Sequence, residues 1–260
     1  MNGYKESEPG EGNMAKQNIF DNETFFEGYQ KLREKKSSAN VLFEIPALYS
    51  LLPDLKGKKI LDLGCGFGEH CKDYVQKGAE KVVGIDISEK MLAVAKKENS
   101  DPKITYLQMA MEDIAQIDEK FDLVISSLAL HYVEDFAGVV QSVYDLLNAG
   151  GVFVFSQEHP INTAHAGGDR WTRDENGNKI HLNLKNYGVE GENESVWFVD
   201  HVKKYHRMFS TIVNTLTEAG FTIGKMIEPL PDEELLAKYP DQADLFHKPD
   251  FLVVRAEKKK

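Results

Sequence analysis

The stretch Ile60-Leu61-Asp62-Leu63-Gly64-Cys65-Gly66-Phe67-Gly68 constrains this chain more than any other. Lys58 to Leu63 is short and apolar and is entered through Gly57, the pattern of a buried strand. Three glycines at alternate positions then interrupt it. Glycine accepts positive φ and has no Cβ, so the chain can turn tightly and press its backbone against a ligand. From Glu69 the pattern becomes helical, with Cys71, Tyr74 and Val75 on one face. A helix that begins at such a turn directs its free N–H groups and partial positive charge at whatever sits there. Lys81 to Asp86 reads as a second strand ending in an acid, 24 positions after Asp62. A doubly wound fold places a carboxylate there to accept hydrogen bonds from a ribose diol.

Two nucleotide-type readings compete for this unit. A dinucleotide site prefers G-x-G-x-x-G, whereas the third glycine here comes one residue early and an acid precedes the loop. Asp62-x-Gly64-x-Gly66-x-Gly68 resembles motif I of the class I S-adenosylmethionine (SAM) methyltransferases. SAM carries a sulfonium cation and no phosphate, so a carboxylate beside the loop suits it. Phe121-Asp122-Leu123-Val124, followed by Ser126 and then Leu130-His131-Tyr132, resembles motif IV of the same superfamily. Later, Tyr205-His206-Arg207, a helical stretch and then Ala219-Gly220-Phe221 resemble the methyltransferase-11 group, which includes ubiquinone–menaquinone-methyltransferase-like enzymes.

The resemblance implies a seven-stranded Rossmann-like α/β sheet, doubly wound, with its last strand antiparallel. It also implies SAM as cofactor and S-adenosylhomocysteine as product. Residues matching the cofactor site are Asp62, Gly64, Cys65, Gly66 and Gly68 in the turn, Asp86, Ile87 and Met91 after the second strand, and Ser127 and Leu128 after the fourth. In the family the loop after the third strand meets the adenine. Ala110 stands where many relatives carry Asp, which leaves Met111, Glu112, Asp113 or the backbone for that edge. Tyr29 and Arg33, on an N-terminal helix, either decorate a solvated face or reach the cofactor. A guanidinium fork suits the carboxylate of its amino-acid tail.

The chain divides by pattern into five parts. Residues 1–17 are polar and read as a disordered tail. Residues 18–56 form a helical lid, with one helix through Phe20 to Leu32 and a second through Val41 to Leu51. Residues 57–160 form the cofactor-binding core, with strands at Ile104–Gln108, Phe121–Ser127 and Val152–Phe155. Residues 161–205 are an insertion read as a small β-rich cap, with Trp171, Tyr187, Trp197, Phe198 and Tyr205 as core or acceptor wall. Residues 206–260 complete the core with a helix from Tyr205, a strand at Phe221–Ile227, a helical stretch at Asp232–Leu245 and a final strand at Phe251–Ala256.

At 260 residues this is one domain with a cap rather than two domains. A net charge of −11 argues against nucleic acid as a partner. Cys65 and Cys71 lie too close together for a structural disulfide, and no ligand cluster has metal spacing. The chain lacks a membrane-length apolar run and a secretory signal, so a cytoplasmic enzyme with no membrane partner is expected, with a homodimer as its candidate assembly.

Methyl transfer is an in-line displacement that needs alignment, exclusion of water and, for some acceptors, a base. Histidine titrates near neutrality, so His159, His131 and His206, in that order, are the candidate bases, with His165 a lesser one. A carbon or anionic acceptor would need none. The leading reading is methyl transfer to a small-molecule acceptor. An NAD-type oxidoreductase and a non-catalytic SAM-binding regulatory protein are the alternatives.

Overall fold

The computed structural model describes residues 18–33, 35, 37–164 and 168–260. The N-terminal tail read as disordered, and His165, fall outside the described residues.

The chain opens with helix α1 (Glu23–Arg33), then a π-helical turn at Asn40–Glu44 that runs into α2 (Ile45–Ser50). Alternation follows: β1 (Lys59–Leu63), α3 (Glu69–Gln76), β2 (Lys81–Asp86), α4 (Glu89–Glu98), β3 (Ile104–Gln108), β4 (Phe121–Ser127), α5 (Phe136–Leu146) and β5 (Leu147–Glu158). A short helix, α6 (Pro160–Thr163), leads to two hairpins. These are β6 (Trp171–Arg173) with β7 (Lys179–Leu182), and β8 (Gly191–Trp197) with β9 (Val199–His206). The chain returns through α7 (Phe209–Glu218), β10 (Phe221–Ile227), α8 (Glu233–Lys238) and β11 (Phe251–Lys258).

Seven strands form one sheet in the order β10-β11-β5-β4-β1-β2-β3. β11 runs antiparallel to both neighbours and the other pairings are parallel. The order reverses between β1 and β4, which opens a crevice at the carboxyl ends of those strands, where sheets of this type bind ligands.

Period-two alternation sends each strand's apolar residues to two cores. Leu61, Leu63, Val83, Ile85, Val124 and Phe155 pack with α5 and α7 on one face. Ile60, Val82, Leu123, Ile125 and Val154 pack with α2, α3 and α4 on the other. At about 25 cal/mol per Å² of apolar area removed from water, burial on both faces is what drives the sheet to form.

Several elements differ from the sequence reading. Tyr205 and His206 do not open a helix. They end β9, where they pair with Glu192 and Gly191, and α7 begins at Phe209. The fifth strand starts at Leu147 rather than Val152, immediately after α5. The helical stretch expected at Asp232–Leu245 splits at Pro240, which has no N–H to continue α8 and starts a 3-10 turn instead. Among the described residues no helix is long and apolar enough to cross a membrane. None of the His, Cys, Asp and Glu groups among them could hold a metal ion.

Candidate functional site

The turn after β1 is left-handed at Gly64 (φ 72°) and Gly66 (φ 52°). The two glycines do different work. A Cβ at Gly64 would lie 2.6 Å from the Ala129 Cβ, so glycine there lets the turn pack against the β4 exit. A Cβ at Gly66 would meet nothing within 4 Å, because that position faces open space. Asp86, at the end of β2, fixes the turn: its Oδ2 accepts from the Gly66 N–H at 2.9 Å and its Oδ1 from the Ser88 N–H at 2.9 Å. Ser88 caps α4 by accepting from the Met91 N–H, and its hydroxyl donates to Asp21 at 2.6 Å. The segment before α1 is thus tied to the loop after β2.

Above this turn lies a cleft enclosing about 1000 Å³, open at its mouth to solvent. Its floor and walls include Tyr29, Gly64, Gly66, Asp86, Ile87, Met91, Met111, Glu112, Ser127 and Leu128, all expected from the sequence. A second lobe of about 440 Å³ shares Tyr29, Gly64, Gly66, Ser127 and Leu128 with the first and adds Arg33, Asp62 and Cys65. The two lobes adjoin along these shared residues. Gly68 and Asp113, also expected, line neither lobe. At Gly68 a Cβ would come within 2.2 Å of the Tyr106 hydroxyl, so that glycine answers a packing demand.

Three carboxyls lie at or next to the cleft, Asp62 and Glu44 buried and Asp86 half-buried, and none has an ion-paired cation among the described residues. Burial pushes Asp62 up to about 7 and Asp86 up to about 6. Asp62 has the Cys71 thiol as its hydrogen-bond donor, at 3.3 Å. Burial also raises Glu44, which is 0% exposed in the π-helical turn. Its Oε1 accepts from the hydroxyls of Ser127 and Ser156, while its Oε2 is buried without a partner. Ser156 in turn accepts from the Leu128 N–H at 3.0 Å, which steadies a residue held at φ 51°. Sequence reasoning missed Glu44 as a site residue, because its partners lie 83 and 112 positions downstream. Arg33 is ion-paired with Glu69, the first residue of α3. A site with open space over Gly66, buried carboxyls lacking cations and an arginine at its far end fits a cationic nucleoside that ends in an amino acid.

The three candidate histidines do not line either lobe. His159 caps α6: its Nδ1 accepts from the Ile161 N–H at 3.1 Å and its Nε2 lies 2.8 Å from Glu228. His206 is bonded at Nδ1 to the Thr163 hydroxyl and at Nε2 to the Tyr187 carbonyl. His131 accepts at Nδ1 from the Glu158 N–H, and its Nε2 stands 4.0 Å from the Glu158 carboxylate. Burial lowers His131 to about 4 in spite of that neighbour. Each imidazole holds backbone or side chain in place.

The further groups that face the cleft include Phe20, Tyr132, Glu134, Lys203 and Tyr205. Phe20 meets Tyr29 and Tyr132 edge-on, at 5.6 and 5.7 Å between centroids. Tyr205 was among the cap aromatics expected as core or acceptor wall, and Lys203 was discoverable from period-two alternation with it, had β9 been read as a strand through His206.

The methyltransferase-11 family, described as a methyltransferase domain, matches residues 61–155, from β1 into β5. A solved structure of a Listeria monocytogenes protein assigned to the SAM-dependent methyltransferases has a TM-score of 0.77 and 42% identity. It covers 84% of this chain and 97% of that one. A SAM-dependent methyltransferase from Mesorhizobium loti gives 0.77 and 39%, covering 86% and 99%. A protein of Haemophilus influenzae is 40% identical over 250 residues, 92% of this chain and 96% of its own. These whole-chain likenesses run well beyond the sheet.

Proposed function

Since the chain belongs to the SAM-dependent methyltransferase family, we propose that it delivers the cofactor's methyl group to a small-molecule acceptor held between α1 and the β8–β9 hairpin. The observation that carries this reading is the two-lobed cleft bounded by the glycine turn, Asp86 and the β4 exit.

When bound, SAM supplies a methyl group already activated on a sulfonium. This chain's residues bind and orient it. Asp86 retains lone pairs for a ribose diol after the Gly66 and Ser88 N–H groups have taken one position on each oxygen. Ile87, Met91 and Met111 supply an apolar slot for the base, with Glu112 at its edge. Arg33 offers remaining N–H groups to the tail carboxylate, and Asp62 offers negative charge near the cationic end. Ser127 and Leu128 form the wall common to both lobes.

Phe20, Tyr29 and Tyr132 give the cleft an aromatic wall, which favours a small acceptor over a polymer. The acidic net charge also disfavours nucleic acid. The three candidate imidazoles stay outside the cleft, and His70, which lines the Arg33 lobe, is bonded at Nδ1 to the Tyr49 hydroxyl and lowered by burial to about 4. The phenol of Tyr205 is pushed up to about 12, by burial first and by Glu134 and Glu192 next, so it does not ionise near neutrality. Alignment is therefore the main contribution of these residues, worth up to roughly 7–11 kcal/mol in favourable cases.

The test is S-adenosylhomocysteine formation with cell extract divided into low-mass and macromolecular fractions. The low-mass fraction should support turnover. Turnover confined to the macromolecular fraction would remove the small-molecule acceptor.

A further inference from the structure

Adjacent residues of β9 face opposite ways. Lys203 and Tyr205 line the cleft, whereas Lys204 lines a separate polar cavity of about 530 Å³ beneath the hairpins. Glu158, at the carboxyl end of β5, and Asn162, Arg170, Asn193 and Glu194 also line it. The wall between the two spaces is thin. The Lys204 ammonium lies 5.9 Å from the centroid of the Tyr132 ring, which itself lines the cleft.

The cations of this cavity differ in their partners. Lys204 is ion-paired with Glu158 at 2.5 Å, and Lys248, which shares Asn162 with Arg170, is ion-paired with Asp250. Burial would raise Glu158, but His131 and Lys204 bring it below its ordinary range, so it is a settled carboxylate. Glu194 stands at the rim, bonded to the exposed His201. Arg170 has no carboxylate partner among the described residues. Its bonds go to the neutral Oδ1 and backbone oxygen of Asn162, at 2.5 and 3.1 Å. A guanidinium has five N–H donors, so about three remain for a ligand.

We infer that this cavity anchors the acceptor by a carboxylate, received by the free edge of Arg170, while the remainder of the molecule reaches past Tyr132 toward the donor cleft. A planar guanidinium edge matches a carboxylate bidentately. Glu158 and Glu194 line the same cavity, so a monoanion meets less repulsion there than a phosphate dianion. The inference rests on the methyltransferase reading for its use of the word acceptor, but the anion site stands on its own geometry.

The experiment uses the full chain with S-adenosylhomocysteine added, and benzoate, benzamide and inorganic phosphate as probes, followed by saturation-transfer NMR and calorimetry. Benzoate should bind in the millimolar range and benzamide at least about tenfold more weakly, the discrimination a charge-assisted hydrogen bond provides. Arg170→Gln should weaken benzoate about tenfold, and Arg170→Lys should restore part of the loss. The S-adenosylhomocysteine affinity of Arg170→Gln should stay within about twofold of wild type, as a check that the cleft is intact. Equal binding of benzoate and benzamide, no binding of benzoate, tighter binding of phosphate, or indifference to Arg170→Gln would overturn the carboxylate site. Failure of the wild type to bind S-adenosylhomocysteine would instead strike the methyltransferase reading, and benzoate binding would still be read separately.

Discussion

At the scale of single residues, Asp62 carries the most informative conflict: a carboxyl with no cation, 2% exposed, at the end of the strand that feeds the glycine turn. Its raised value of about 7, and that of Asp86 near 6, mean that the folded protein without ligand holds protons the unfolded chain has already lost. Stability from this source therefore falls as pH climbs from about 4 toward 7. A cationic ligand reverses the preference by favouring the carboxylates. SAM binding should strengthen as pH rises through about 7 and should release protons below it. Calorimetry at pH 6 in buffers of different ionisation heat checks the sign, and Asp62→Asn should reduce the release. Proton uptake, or no difference between buffers, would contradict the assignment. Asp86 and Gly66 were legible in the sequence because a local turn and its spacing specify them. The histidines were not. His159 finds Glu228 some 69 positions away and His206 finds Thr163 some 43 positions back, distances no local pattern records.

Among elements, α1 and the β8–β9 hairpin hold each other over the cleft through an aromatic cluster. Phe25, 0% exposed, meets Trp197 and Phe198 edge-on at 5.2 and 5.6 Å. Gly28 leaves room for the Phe198 ring, since a Cβ there would lie 2.6 Å from it. Truncating a buried phenylalanine costs about 3–5 kcal/mol, and here the loss falls on two elements outside the main sheet. Phe25→Ala should accelerate amide exchange in α1 and the hairpin while β1, β4 and β5 keep their protection. Equal acceleration throughout would mean that lid and sheet unfold as one unit. The strands of the sheet were readable as short apolar runs between glycine and helix signals. The hairpin end at Tyr205-His206 was misread, because a chain about to enter a helix carries no marker separating its last strand residues from its first helical ones. The cap aromatics likewise gave no sign of which ones would meet α1.

For the whole molecule, strand order is what converts sequence motifs into a site. The glycine turn, the acid after β2 and the β4 exit are separated by some 60 residues, and only the reversal of order between β1 and β4 brings them around one crevice. That topology followed from strand–helix alternation and from resemblance. The placement of the hairpins did not, because their contacts are to α1, α6 and the β5 end rather than to neighbours in sequence. The central claim is that this crevice binds SAM through the turn and Asp86. The most direct test is calorimetric titration of wild type and Asp86→Ala with SAM, S-adenosylhomocysteine and NADH. Loss of hydrogen bonds to a charged group is worth about 1.5–3 kcal/mol, so the variant should bind both adenosyl ligands roughly tenfold to a hundredfold more weakly, and neither form should bind NADH. Binding of NADH with no response to either adenosyl ligand would contradict the account.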